Sequence, residues 1–508
     1  MWNRVQKGLI AIIGGQAVTT VGNLLLVPLY LTYWSPGLYG EWLALGSLVA
    51  YLSTLDFGMN MAAVNRLTQA YSRNDLEEYA RYQHSAMAFY LVVAGGGTLL
   101  LALATWLVPI PAWLALRETS PRETVWVIWL LGLQILWAMP AGLVSSAYRT
   151  TGNFAASQWI GNAQSLMLLV LVALVLVLGG GLKAVAFIQL IPLVGVAVFV
   201  WWDVRRRFSA LTPGVRQASF TIVRGLVVPS VFFFLIMVAV AIAQQGTVLV
   251  VASGLGGVAV ALFVTSRTLA NLIRVVAGAF NNALWPDLTM MEARGEHARL
   301  RAVHRLLVIG STTLCIAFAS ALWYEGSEII TVWTLGKLEP DPMLLHLLLV
   351  LLVLQTPWLA SSVFTAAANK HAKLSWSYLV SAVIGVGMAS LLVKRMGTWA
   401  VPVGLMVGEA LACYHFVVKD TCRMLGESYG PFAVRLWGGL ITVATVALVV
   451  GWAAHQVVPG HFLVRWLGVG VITTALSMAV AWTVWLIPED RAQLVSRLRS
   501  SGILLARI

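Results

Sequence analysis

Arg267, Asn271 and Arg274 follow one another at intervals of four and three inside an apolar run. Residues three and four apart share one face of a helix, so both guanidiniums lie on the same stripe. Gly278 and Asn281 continue it. Arginine forks onto the oxygens of phosphate or carboxylate, and two such groups on one face repel unless an anion lies near them. The stripe reads either as a cationic wall for phosphate or an acidic sugar, or as a structural ion pair with Asp56 or Glu409. Four other polar sets share this character. Asp56 stands with Ser53 and Asn60. Gln16, Thr19, Thr20 and Asn23 recur at helical spacing, as do Gln355, Ser362, Thr365 and Asn369, beside a Pro357 expected to kink its helix. Gln244 and Gln245 are adjacent. Any one set could be interhelical glue worth about 1 kcal/mol per bond, whereas all of them together favour a shared wet cavity. Asp56 and Glu409 are carboxylates within apolar runs. Each is a candidate for coupling to protons or sodium, or a satisfied structural group. His346, His415 and His455 read as interfacial. Cys315, Cys413 and Cys422 lack metal-site spacing and read as small core residues.

These residues need a membrane around them. Hydrophobic residues make up 59% of the 508 and charged ones 10%, with a mean hydropathy of +0.84. A soluble protein carries about 25% charged residues to cover its surface. The composition therefore excludes a soluble enzyme, a disordered chain and a disulfide scaffold. It leaves an all-α polytopic membrane protein. A spanning helix needs about 20 apolar residues, and fourteen stretches qualify: 8–33, 41–63, 86–109, 124–147, 157–179, 182–202, 226–251, 257–283, 303–324, 343–368, 374–393, 399–418, 434–456 and 464–487. With the N-terminus inside, 24 of the 33 Lys and Arg fall in cytoplasmic loops, seven outside and two (Arg267 and Arg274) within a helix. Positive loops stay inside, so both termini are expected in the cytoplasm. The net charge of +13 thus reflects topology and not nucleic acid. Trp34, Trp42, Trp106, Trp113, Trp201 and Trp202 fit interfacial belts. No Gly-rich phosphate loop occurs, and the outside segment 325–342 offers too little for a catalytic domain.

The chain also repeats itself at an offset of 217 residues. Gly37, Leu38 and Gly40 meet Gly254, Leu255 and Gly257; Asn65 meets Asn282; Pro140 meets Pro357; Ser145 meets Ser362. Six crossings return a chain to its starting side, so 1–202 and 226–418 form two parallel six-helix lobes related by a pseudo-two-fold along the membrane normal. Residues 203–225 form a cytoplasmic linker, 434–487 an extra transmembrane hairpin, and 488–508 a basic cytoplasmic tail suited to the anionic leaflet. Carriers built this way bind substrate between the halves and rock to alternate access.

The stretch from Leu31 through Ser35-Pro36-Gly37-Leu38-Tyr39-Gly40-Glu41-Trp42 to Leu45, with Leu55-Asp56-Phe57-Gly58 and Asn65-Arg66, resembles the start of O-antigen-type polysaccharide flippases. These belong to the multidrug/oligosaccharidyl-lipid/polysaccharide (MOP) exporter superfamily. The resemblance implies a bacterial inner-membrane carrier that moves undecaprenyl-diphosphate-linked oligosaccharide outward for surface polysaccharide synthesis. It implies a polysaccharide polymerase and a chain-length regulator as partners, no enzymatic cofactor, and a cationic cavity. Arg267 and Arg274 would hold the diphosphate, and Gln16, Asn23, Asn60, Asn271 and Gln355 the sugars. The basic cluster of peptidoglycan-precursor flippases is thin here, since the second helix holds Asp56 instead. The competing readings are a cation-coupled multidrug extruder of the same fold, a membrane polysaccharide polymerase or ligase, and a scaffold. Paired arginines disfavour the first of these, the lack of a large outside loop the second, and charged stripes the third.

Overall fold

Several helix starts are written plainly into the chain. Ser35 precedes Pro36, Ser120 precedes Pro121 and Asp341 precedes Pro342. Each side chain accepts the N–H three residues on, from Leu38, Glu123 and Leu344. A short polar cap satisfies a free donor, and proline at the next position has no N–H to waste. Gly256 and Gly426, with φ of 84° and 68°, end helical runs in the left-handed conformation that suits glycine.

The computed structural model describes residues 2–368, 370, 372–458, 462–486, 488, 489 and 491, leaving aside the side chains of 2–13, 61, 228, 229, 276–283, 285–287, 293, 462 and 463. Asn369, the tail from 492, and the side chains of Arg4, Lys7, Gly278 and Asn281 thus lie outside the description. Among the described residues there are fourteen long helical segments and no strand. They are α1 (Trp2–Tyr33), α2 (36–72), α3 (Leu76–Leu107), α4 (Pro121–Thr150), α5 (Phe154–Val177), α6 (Leu182–Arg207), α7 (220–255), α8 (Gly257–Ala293), α9 (His297–Trp333), α10 (Pro342–Ala367), α11 (Ala372–Met396), α12 (400–425), α13 (Tyr429–Val457) and α14 (462–485). Among the described residues eleven stretches are long and apolar enough to cross a membrane, and one of these, 372–425, contains both α11 and α12. The fold is an all-α polytopic membrane protein.

Several expected boundaries move. The second span is not continuous. It consists of Pro36–Ala50, a 3₁₀ turn at Tyr51–Asp56 and, after a break at Phe57 and Gly58, Met59–Ser72. The linker expected at 203–225 shrinks, because Arg205, Arg206 and Arg207 form the last turn of α6 and a new helix begins at Phe220. Arg205 and Arg206 lie over the rings of Trp201 and Trp202, so these guanidiniums are held by the helix that carries them. The segment expected outside at 325–342 is mostly helix, since α9 runs to Trp333. Trp34 and Trp42 are not belt residues. They are buried with Tyr30 and Tyr39 in one aromatic cluster, whereas Trp106, Trp113, Trp201 and Trp202 are exposed as a belt requires.

The chain packs into two compact units, Met1–Ala261 with Trp333–Lys337, and Leu262–Val332 with Leu338–Ile508. This division falls later than the boundary between the two sequence repeats, because α7 packs against α2 and α3. In the first unit Met59, Ala63, Leu67 and Ala70 recur on one face of α2. They form a core with Tyr79, Ala86, Met87 and Tyr90 of α3, Leu143 and Ala147 of α4, and Val200 and Val204 of α6. Gly40 lies so close to Gly257 that a Cβ would reach the Gly257 carbonyl, and a Cβ on Gly257 would meet that of Gly37. Gly40 and Gly257 are equivalent positions of the repeat. Small residues let helix backbones approach in this way.

In the second unit α9 is enclosed on nearly all sides. The antiparallel α11 and α12 meet through Gly385, Gly404 and Gly408, whose missing side chains leave room for the opposing backbone. Arg301 donates to the Leu425 carbonyl, Arg305 pairs with Glu427, Lys370 with Glu292, and Lys373 with Asp420. These contacts gather the basic loops at one end of the unit. At its opposite end Trp399 donates to Asp341, and buried Glu325 takes both His455 and Arg465.

Candidate functional site

In the second unit α8 presents Arg267, Asn271 and Arg274, all partly buried. Arg274 donates through Nη2 to Oε1 of Gln355 on α10. Gln355 in turn donates through Nε2 to Glu409 Oε1 at 2.5 Å, and Trp358 Nε1 donates to Glu409 Oε2 at 3.0 Å. Gln355, Trp358 and Glu409 are all buried. The structure thus joins two residues expected to bind substrate, Arg274 and Gln355, to one expected to couple ions, Glu409. Glu409 reaches Arg274 through the amide of Gln355, and among the described residues no carboxylate pairs directly with Arg274. Arg274 Nε is buried and makes no hydrogen bond. Leaving such a donor unmet costs about 1–3 kcal/mol, so this guanidinium retains capacity for an anion. Arg267 lies with its guanidinium carbon 5.0 Å from the centre of the Phe263 ring, within cation–π range. Ser362 and Thr365 turn their hydroxyls onto carbonyls of their own helix, at Leu359 and Ser362. They are satisfied locally.

The first unit holds a separate polar group. Asp56 ends the 3₁₀ turn of α2, and the next two residues, Phe57 and Gly58, have φ of 51° and 71°. A left-handed phenylalanine is uncommon and costs of order 1 kcal/mol. Its ring is held between Phe89 and Phe234. Asp56 accepts from the Tyr90 hydroxyl at 2.5 Å and from the backbone N–H of Gly58 and Asn60 at the restart of the helix. A carboxylate at the start of a helix faces its positive dipole end. Asn60 therefore belongs to the Asp56 group. Gln16 and Asn23 are exposed along α1, and Gln244 and Gln245 fall in a π-helical turn at Ile242–Gly246 of α7. Such turns occur often at functional positions.

Among the buried carboxylates that escaped the sequence reading, two are held by segments distant in the chain. Glu41, near the start of α2, accepts from the backbone N–H of Arg117, Glu118 and Thr119, at 2.5, 2.9 and 2.8 Å, and from the Thr119 hydroxyl. Glu325, expected in a loop, is buried in α9 and receives His455 of α13 at 2.6 Å and Arg465 of α14 at 2.9 Å. A carboxylate inside an apolar run was the available signal for both. Both fasten elements together, with every partner distant in the chain. The three histidines expected at interfaces also have defined partners. His346 stacks on Trp323 at 3.9 Å, His415 meets the Tyr429 hydroxyl at 2.6 Å, and His455 joins Glu325.

With this geometry described, similarity to known structures places the fold. No protein-family model and no curated protein matches the chain. The chain is similar in structure to the lipid II flippase MurJ in an inward closed conformation, with a TM-score of 0.69, 12% identity, and coverage of 93% of this chain and 99% of that one. It is similar to an inward-facing multidrug resistance MATE transporter of the MOP superfamily, with a TM-score of 0.67, 15% identity, and coverage of 80% and 98%. A MOP superfamily transporter from Pyrococcus furiosus, described by the reversed polarity of its binding pocket, gives a TM-score of 0.57 at 15% identity over 84% and 96%. The fold is that of MOP superfamily transporters.

Proposed function

We propose that this protein is a flippase for undecaprenyl-diphosphate-linked oligosaccharide, acting by alternating access in the inner membrane, with both termini cytoplasmic, in surface polysaccharide synthesis. The observation that carries the reading is the arginine stripe of α8. Arg274 holds no carboxylate directly among the described residues and keeps a buried Nε–H unused. Charge at membrane depth costs about 2.5–3.5 kcal/mol per residue on insertion scales, so Arg274, with a buried donor unused, needs a compensating role. A diphosphate supplies it. Its oxygens accept from Arg267 and Arg274, Asn271 and Gln355 meet sugar hydroxyls, and the polyprenyl tail stays in lipid. Gln16, Asn23 and Asn60 serve the sugars elsewhere on the path. The polymerase and chain-length regulator are the expected partners.

Coupling follows from the hydrogen bonds. In the ligand-free arrangement Gln355 serves Arg274 with its carbonyl and Glu409 with its amide. A phosphate on Arg274 competes for the same donor and loosens Gln355, which weakens the hold on Glu409. Glu409 then takes up a proton or sodium ion, and Asp56 acts similarly at the break in α2. A cavity of about 420 Å³ at the basic end of the second unit supports the choice of a phosphorylated lipid, because it is lined by Lys373, Trp376, Lys419, Asp420 and Arg423.

The test is reconstituted flipping of a defined undecaprenyl-diphosphate sugar. Arg274→Gln keeps a donor for Gln355 while removing the charge. Combined with Arg267→Gln, it should cut flipping at least a hundredfold with the protein still inserted and folded. Full activity in that double variant would overturn the reading. The second reading is a cation extruder, favoured by the buried carboxylate Glu409, by the half-buried Asp56 and by the structural likeness to a MATE transporter. Efflux of a cationic dye that survives loss of both arginines and fails in Glu409→Gln would select it.

A further inference from the structure

Away from this site, at the basic end of the second unit, three metal-competent side chains converge from the start of α9 and the junction of α12 with α13. His304, Cys422 and Glu427 each direct one ligand atom to a common point, and the three atoms lie within 4.8 Å of one another. His304 and Cys422 are fully buried. The hydrogen bonds around His304 decide which of its nitrogens is free. Ser361 Oγ donates its proton to the Pro357 carbonyl at 2.9 Å. At 3.1 Å from His304 Nε2 it can therefore act only as acceptor, so Nε2 carries hydrogen. In the neutral ring Nδ1 then presents a lone pair. It faces Oε2 of Glu427 at 3.6 Å, longer than a hydrogen bond, and neither atom has a hydrogen-bond partner. The other carboxylate oxygen is taken by Arg305 at 3.1 Å.

A buried lone pair facing a buried carboxylate oxygen is repulsive without a cation between them. Two ligands of one tetrahedral zinc, each about 2.0–2.2 Å from the metal, stand about 3.3–3.5 Å apart, close to the observed separation. The donor set of imidazole, thiol and carboxylate suits a borderline-soft divalent ion. Ser361 behind the imidazole and Arg305 behind the carboxylate supply the outer contacts that orient ligands in such sites.

We propose that His304 Nδ1, Cys422 Sγ and Glu427 Oε2 bind one Zn²⁺ per chain, with a fourth position left for water. Binding releases the thiol proton to solvent, and the Sγ lone pair bonds the metal. The ion ties the start of α9 to the α12–α13 junction. The proposal gives Cys422 a role beyond the core packing expected of it, and it is independent of the transported substrate.

Full-length protein, stripped with a chelator and held in detergent, is titrated with Co²⁺ as probe. The expected result is a near-ultraviolet thiolate-to-cobalt charge-transfer band that saturates at one equivalent and is bleached by Zn²⁺. The band persists in Cys315→Ala/Cys413→Ala and is lost in Cys422→Ala. Glu427→Gln weakens Co²⁺ binding at least tenfold. Absence of the band from the wild-type protein, or its survival in Cys422→Ala, overturns the proposal and leaves a protonated His304 paired with Glu427. The wild-type titration needs no variant to fold, and the readout does not involve transport.

Discussion

At the residue scale, the chain Arg274–Gln355–Glu409–Trp358 means that no member can be changed alone without cost. Glu409 is buried and accepts from two donors. Glutamine in its place can offer its carbonyl to one donor but turns an N–H toward the other. Glu409→Gln should lower stability by about 1–3 kcal/mol, read as a fall in Tm, and should remove the response of transport to a collapsed proton or sodium gradient. An unchanged gradient response would exclude Glu409 as the coupling group. Arg274→Ala confounds transport with folding, because it strands the Gln355 carbonyl and removes the cation that Gln355 links to buried Glu409. That loss can reach about 3–5 kcal/mol. Arg274→Gln should lose transport with a smaller drop in Tm, and equal drops in the two variants would show that the bridge carries no weight.

At the scale of elements, the glycines of α2 separate close packing from mere flexibility. A Cβ on Gly40 would meet the backbone of Gly257, whereas one on Gly46 would meet nothing within 4 Å. Gly40→Ala should therefore be strongly destabilising, since the opposing atom is backbone. Gly46→Ala should be neutral or stabilising by up to about 1 kcal/mol, through helix propensity. Thermal unfolding in detergent should give opposite signs for the two, and equal effects would refute the contact. The break at Phe57 and Gly58 is a second element-scale feature. The triplet Asp56-Phe57-Gly58 reads in sequence like a kinase signature by accident. In the fold it interrupts a membrane helix and places a carboxylate at the restart. Discontinuous helices of this kind mark ion and substrate sites in carriers.

At the scale of the whole molecule, orientation rests on the Lys and Arg distribution. Reporter fusions in the loop after Gly180 should report the outside and fusions at Gln217 the cytoplasm, as the 24-to-seven asymmetry requires. A reversed pattern would invert the direction assigned to transport. The number of helical segments and most of their positions were legible in the chain, because a membrane imposes a length and an apolarity that no local context can evade. Boundaries were less legible. α8 and α9 extend well past their apolar stretches, to Ala293 and back to His297, because polar helical turns beyond the bilayer leave no hydropathy signal.

What the sequence by itself determined is the class of molecule and the presence of polar side chains where lipid would not tolerate them unpaired. Composition, run length and helical spacing are local quantities, and they carry that far. Which of those side chains meet was decided only by the tertiary structure. Gln355 stands 81 residues from Arg274 and 54 from Glu409. Glu41 is satisfied by a loop 76–78 residues away, and Asp56 by a tyrosine one helix later. Hydrophobicity is nearly uniform along such helices, so it does not encode their rotation or their choice of neighbour. Close approach at glycines and the need to satisfy every buried polar group in a medium without water select the partners.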